Sequence, residues 1–156
     1  MKSVLISIKP KYVELIANGE KTIEVRKSAP KEVPFKAYIY ETKGATEMPW
    51  IDEDGHFIYK GRGQVIGEFI CDKVMFLTPL GLRGFEMRDE ILKSICLTND
   101  DLNAYGGLKT LYGWHISDLK IYDKPKELGN FFTPMEKRPS YMIERPPQSY
   151  MYVEEL

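Results

Sequence analysis

Cysteine is scarce in this chain: Cys71 and Cys96 are the only two in 156 residues, far apart and in no metal-ligand spacing. That count suits a reducing compartment better than a disulfide scaffold, and both thiols are expected to act as small buried hydrophobes. Charge of one sign is not in surplus either. Lys and Arg number 22 against 23 Asp and Glu, for a formal charge of -1, so no global field draws the chain to nucleic acid or an anionic membrane. Nucleic-acid binding, if present, has to be local. No stretch approaches the roughly 18 apolar residues of a membrane span, and the apolar run in MKSVLISIKP is too short for a secretory signal. A cytoplasmic protein is expected. There is no GxGxxG, P-loop, HExxH, GxSxG or paired CxxC, which removes the usual nucleotide-hydrolysing, metalloprotease and redox chemistries. Internal repeats and alternating βαβα units are also missing, so a doubly wound sheet is not expected.

What is there fits one domain over residues 1–156, long enough to bury about two-thirds of the surface its unfolded chain exposes. Aromatic content is 12%, with ten tyrosines, many in strand-like runs where Tyr normally serves as a wall residue.

The most informative stretch is Ser7 to Lys27, SIKPKYVELIANGEKTIEVRK. Pro10 suits a first helical turn, and Tyr12, Leu15 and Ile16 share one apolar face. Gly19 supplies the left-handed residue of a helix end, and Thr22–Arg26 then alternates polar and apolar as a half-buried strand does. Ile23 and Val25 are predicted to face the core, with Thr22, Glu24 and Arg26 opposite and Lys21 in the joint. Two readings stand for that polar cluster: solvated surface ion pairs, or a site for a polar ligand.

Val4 to Ile8 reads as a first strand or a capping segment, and the proline-bearing SAPKEVPF reads as a loop before a strand over Lys36 to Thr42. In that strand Ala37 and Ile39 alternate with Tyr38 and Tyr40, which predicts packing on both faces. Within Gly44 to Gly63 the Asp54-Gly55 pair signals a hairpin flanked by Trp50-Ile51 and Phe57–Tyr59, or a flap. Its functional candidates are Trp50, His56, Lys60 and Arg62. Gln64 to Leu77 is the strongest strand, bending at Gly67 or pairing on both edges, and its Glu68 calls for a cation such as Arg26 or Lys21. Thr78 to Tyr112 is predicted to cover one opening of the sheet. It holds a helix at Asp89 to Cys96 and another that a Thr98/Asp101 capping box starts and Gly106-Gly107 ends. Gly113 to Tyr122 returns to strand, Asp123-Lys124-Pro125 opens a helical turn through Leu128, and Ser149 to Glu154 closes as an edge strand. Such regular strands on short turns suggest a closed or nearly closed barrel.

Ser7-Ile8-Lys9-Pro10, Gly19-Glu20-Lys21-Thr22, Glu24-Val25-Arg26 and Gly67-Glu68-Phe69 together resemble the ASCH domain of the PUA-like superfamily. GWHISDLKIYDKP and PPQSYMYVEE are similar to bacterial and phage versions of it. The resemblance implies an α+β fold, a small mixed β-barrel of the PUA-like type with a few short helices, and a cleft for RNA or modified nucleotides beside the helix–strand junction. No metal and no cofactor is expected, since neither the cysteines nor His56 stands at a metal-ligand spacing. One branch of the family is an amidohydrolase of acetylated cytidine that uses a Lys, a Thr and a distal Glu. Lys21 matches the Lys, whereas Glu24 stands at the Thr position and Ser94-Ile95 near the position of the distal Glu.

Three functions follow. A binding module for RNA or a modified nucleoside or nucleotide would use Lys9, Lys21 and Arg26 on phosphate or a base edge, with Glu24 beside them and Tyr40 stacking. A metal-independent hydrolase, amidohydrolase or ribonuclease, would use Glu24 as general base. Lys21, its pKa lowered by Arg26, would be its nucleophile or oxyanion stabiliser. A protein-interaction adaptor would instead present Gly44–Gly63 and Thr78–Tyr112.

Overall fold

The computed structural model describes residues 1–44, 50–51, 54, 57–58, 61–136 and 139–156, with only the backbone at Trp50, Ile51, Phe57 and Ile58. The described residues form eight strands: β1 (Lys2–Ile8), β2 (Ile23–Arg26), β3 (Phe35–Glu41), β4 (Trp50–Ile51), β5 (Phe57–Ile58), β6 (Gln64–Leu77), β7 (Leu111–Lys126) and β8 (Tyr150–Val153). The helices are α1 (Pro10–Ala17), α2 (Asp89–Ile95) and α3 (Asn99–Gly106). Six strands form one mixed sheet in the order β2-β7-β6-β3-β1-β8, and β4 and β5 pair separately as an antiparallel ladder. The hairpin expected around Asp54 is therefore seen in its ladder, while His56 and Lys60 lie outside the described residues.

The sheet is not closed, which corrects the barrel. Its edges are the four-residue β2 and β8, and they do not pair with each other. Separate cores cover the two faces instead. Val4, Ile6, Ala37, Ile39, Phe69 and Trp114 pack on one side, and Leu5, Tyr38, Tyr40, Val65, Phe131 and Val153 on the other. β1 is buried on both faces for this reason, as the alternation in β3 predicted for its own strand.

Strand β6 spans the predicted residues and pairs with β3 and β7. A side chain on Gly67 would place its Cβ 2.5 Å from the Lys120 carbonyl oxygen, so only glycine admits this approach of β7. The register slips beside it, between Ile39 and Tyr40 of β3, and the slip rephases the strand. Ile66 and Phe69, three residues apart, consequently share a core, and Glu68 lands opposite Tyr38 on the other face. Its cation is Lys36, at 3.8 Å, not Arg26 or Lys21.

Two further expectations are corrected. Asp123–Pro125 continues β7 rather than opening a helical turn. The β6 ladder resumes at Lys126 after a bulge that takes up Pro125, and a single 3-10 turn follows at Leu128–Asn130. Cys96 is only partly buried, because it ends α2 in a left-handed conformation with φ 54°, whereas Cys71 is fully buried. Among the described residues no helix is long and apolar enough to cross a membrane.

Candidate functional site

The helix–strand junction is built much as its sequence dictates. Lys9 is extended at the helix start, Pro10 takes the first helical position, and Gly19 turns the chain at φ +83° with open space around it. Conformation, not crowding, therefore requires glycine there. The buried residues of α1 are Val13 and Ile16, with Tyr12 and Leu15 at the margin. Ile23 and Val25 enter a third core with Leu77, Phe85, Ile95, Leu102 and Leu111, which turns Glu24 away from it.

The surface reading of the polar cluster fails on burial: Lys21 is 2% exposed and Glu24 5%. The Lys21 Nζ donates to the Ile95 carbonyl, and the Thr22 N–H donates to the Ser94 carbonyl at 2.9 Å. Ser94-Ile95 thus meets the Lys21-Thr22 joint through two carbonyls at the end of α2, and the Ile95 carbonyl takes the Lys21 amine where a helix favours a cation. Lys21 Nζ lies 3.7 Å from Glu24 Oε2, and Arg26 Nε lies 3.6 Å from Glu24 Oε1. Both separations exceed a hydrogen bond. A guanidinium nitrogen of Arg26 donates instead to the Ser7 carbonyl.

Burial holds the Lys21 pKa below its ordinary 10.5, partly opposed by the Glu24 charge, and Arg26 is the smallest cause of the shift. The expectation that Arg26 drives the lowering is thereby corrected. Tyr12 presents its ring 5.2 Å from Lys21 Nζ. Its own pKa is raised, chiefly by burial and then by Asp101 and Glu24, so its hydroxyl stays a donor.

These groups line a cleft of about 870 Å³. The end of β1 and the start of α1 contribute Ser7 to Tyr12. β2 contributes Glu24, Val25 and Arg26, the chain after β3 contributes Thr42 to Gly44, and α3 contributes Asp101, Ala104 and Tyr105. Asp101, Ala104 and Tyr105 fall at i, i+3 and i+4 and so share one helix face. The predicted capping box is present: Thr98 Oγ accepts from the Asp101 N–H at 3.1 Å, and the Asp101 carboxylate accepts from the Thr98 N–H at 2.8 Å. That second bond holds the Asp101 pKa down. Lys27 Nζ stands 4.8 Å over the Tyr105 ring.

The structure brings Lys9, Lys21, Glu24 and Arg26 together on this cleft and leaves Tyr40 out of it. Tyr40 sits in the second core with Tyr38, because strand alternation sends both rings to the far face. Among the described residues the aromatic groups of the cleft are Tyr12 and Tyr105, which sequence reasoning did not assign. Lys11, Lys43 and Asp101 were missed as well. Arg62 is exposed and does not line the cleft, its N–H donating to Glu41 at 2.8 Å. Among the described residues no group of three His, Cys, Asp or Glu is placed to hold a metal ion.

Among solved structures the chain is similar to an ASCH protein from Zymomonas mobilis, at 17% identity and TM-score 0.62, covering 99% of this chain and 89% of that one. A Tyr-to-Phe variant of that protein matches at 16% identity and TM-score 0.61, with 99% and 92% coverage. These likenesses show the fold. No curated protein matches the chain. The ASCH domain profile matches residues 6–91, more than half of the 156 residues and the whole helix–strand junction. On that match the chain belongs to the ASCH domain family, within the PUA-like superfamily.

Proposed function

We propose that this protein binds RNA or a modified nucleotide in the cleft between α1, β2 and α3. The supporting observation is the cleft's local charge. Among the described residues, Lys9, Lys11, Lys21, Arg26 and Lys43 line it against Glu24 and Asp101, in a chain whose net charge is -1. Lys9, Lys11 and Lys43 are exposed at the mouth and suit phosphate as point charges. Tyr12 and Tyr105 offer ring faces on which a base can stack, worth roughly 1–3 kcal/mol each. Lys21, Glu24 and Arg26 then meet the base edge at the buried end. The test is the anisotropy of a fluorescent RNA hexamer titrated at two salt concentrations. Three lysine–phosphate contacts should weaken binding roughly 20-fold between about 50 and 200 mM salt. Absence of saturable binding at the lower salt would overturn the reading.

A second reading, a metal-independent hydrolase, is favoured by one feature: the depressed Lys21 pKa beside a carboxylate 3.7 Å away. An amine that readily loses its proton can serve as base or nucleophile, and Glu24 can relay the proton. Mass spectrometry of nucleosides and short RNAs incubated with wild type and with Lys21→Ala decides it. Turnover that the variant loses would make the protein an enzyme, and no turnover by wild type would remove the hydrolase.

A further inference from the structure

Two residues that line the cleft carry a buried donor and a buried acceptor that no other described residue pairs by a hydrogen bond. Glu24 Oε2 and Arg26 Nε are both buried, and neither makes a hydrogen bond among the described residues. Buried polar atoms are nearly always paired, and leaving a carboxylate oxygen and a guanidinium N–H unpaired is costly. Both belong to residues that line the cleft.

Their order along the wall carries chemical information. The Glu24 carboxylate stands between Lys21 Nζ, 3.7 Å from Oε2, and Arg26 Nε, 3.6 Å from Oε1. Across the wall this reads donor, acceptor, donor. Lys21 keeps an N–H beyond the one given to the Ile95 carbonyl whether or not the amine is protonated, so it remains a donor. Resting on the cleft's reading as a nucleotide site, we infer that this row recognises the acceptor–donor–acceptor edge of an imide, the O4, N3–H and O2 edge of uracil. The N3–H would donate to Glu24 Oε2, and the two carbonyls would accept from Arg26 Nε and Lys21 Nζ. Because the present contacts to Glu24 are too long for hydrogen bonds, the ligand edge displaces none of them.

The other bases mismatch. Cytosine turns its N3 acceptor toward the carboxylate and its amino group toward a cationic donor. Guanine places its second donor, the 2-amino group, against one of the flanking cations. Adenine offers one donor and one acceptor where the row asks for three partners. Mispairing of this kind leaves buried groups unsatisfied in the complex, and that is where discrimination arises.

The experiment uses the intact protein and varies the ligand, so no variant's folding enters. Fluorescent hexamers of uridine, cytidine, adenosine and 3-methyluridine are titrated under one salt condition. Hexauridine should bind about 10-fold or more tightly than the other three. The 3-methyluridine hexamer is the sharpest comparison, since it differs only at the donor that Glu24 would accept. Equal affinity for all four, or a preference for another base, would overturn the imide edge while leaving the cleft as a nucleotide site. Failure of all four to bind would overturn both.

Discussion

At the α1–β2 junction Glu24 lies 3.7 Å from Lys21 and 3.6 Å from Arg26, with its Oε2 accepting no hydrogen bond among the described residues, whereas across the sheet a second charged cluster is engaged in hydrogen bonds. There Lys36 donates to Glu155 at 2.7 Å and lies 3.8 Å from Glu68, and the Tyr122 hydroxyl donates to Glu68. The Leu156 N–H adds a bond to the Tyr38 hydroxyl at 3.0 Å. The pKa directions repeat the contrast. The bond from Lys36 to Glu155 raises the lysine and lowers the glutamate, so both charges are favoured. Burial lowers Lys21, so its charge is disfavoured. A network that satisfies itself fastens the C-terminal residues to β3. One left open in the wall of a cleft would be satisfied by the ligand proposed to enter it.

The largest way to break this comparison is Glu24→Ala. It would strand two buried cations and should cost about 3–5 kcal/mol in urea unfolding. A loss under about 1 kcal/mol would mean the junction cluster is no more than a solvated ion pair. Next comes Tyr122→Phe, which removes a hydrogen bond to a charged carboxylate and should cost about 1.5–3 kcal/mol while leaving RNA affinity unchanged. Weakened RNA binding in that variant would erase the division of roles between the clusters.

The smallest effect sharpens the comparison through pH. Lys21 holds its proton less tightly folded than unfolded. Between its lowered value and the ordinary 10.5 the unfolded chain therefore carries more protons, and stability climbs as pH rises through that window. The climb is at most about 1.4 kcal/mol per pH unit for one group. It is lost as pH falls through the window, and Lys21→Met should abolish it. An unchanged slope in the variant would show that Lys21 is solvated in the folded protein.

Much of the fold was legible because its signals are local. Pro10 and Gly19 mark the ends of α1, the Thr98/Asp101 box starts α3, and the apolar run of Gln64–Leu77 marks β6. Tyr38 and Tyr40 fell on the far face as alternation requires, which is why Tyr40 could not serve the cleft. Glu68 was misplaced because a bulge shifts the phase of β6, and a strict period of two cannot foresee a bulge. The site was half legible. Lys9, Lys21, Glu24 and Arg26 lie within eighteen residues of one another and converge through one helix and one turn. Asp101 and Tyr105 join them only through packing of α3 across the opening, a contact between distant segments that no local pattern encodes. The face spacing of Asp101, Ala104 and Tyr105 was readable, but what that face meets was not.

The junction cluster is the proposed ligand site, and the Lys36–Glu68–Tyr122–Glu155 cluster ties the chain's last residues to the sheet. The most direct test is proton–nitrogen correlation NMR of the protein titrated with hexauridine. Amide shifts are expected at the start of α1, along β2 and on the cleft face of α3, with Lys36, Glu68, Tyr122 and Glu155 unmoved. Shifts centred on those four residues, or none anywhere in the protein, would contradict it.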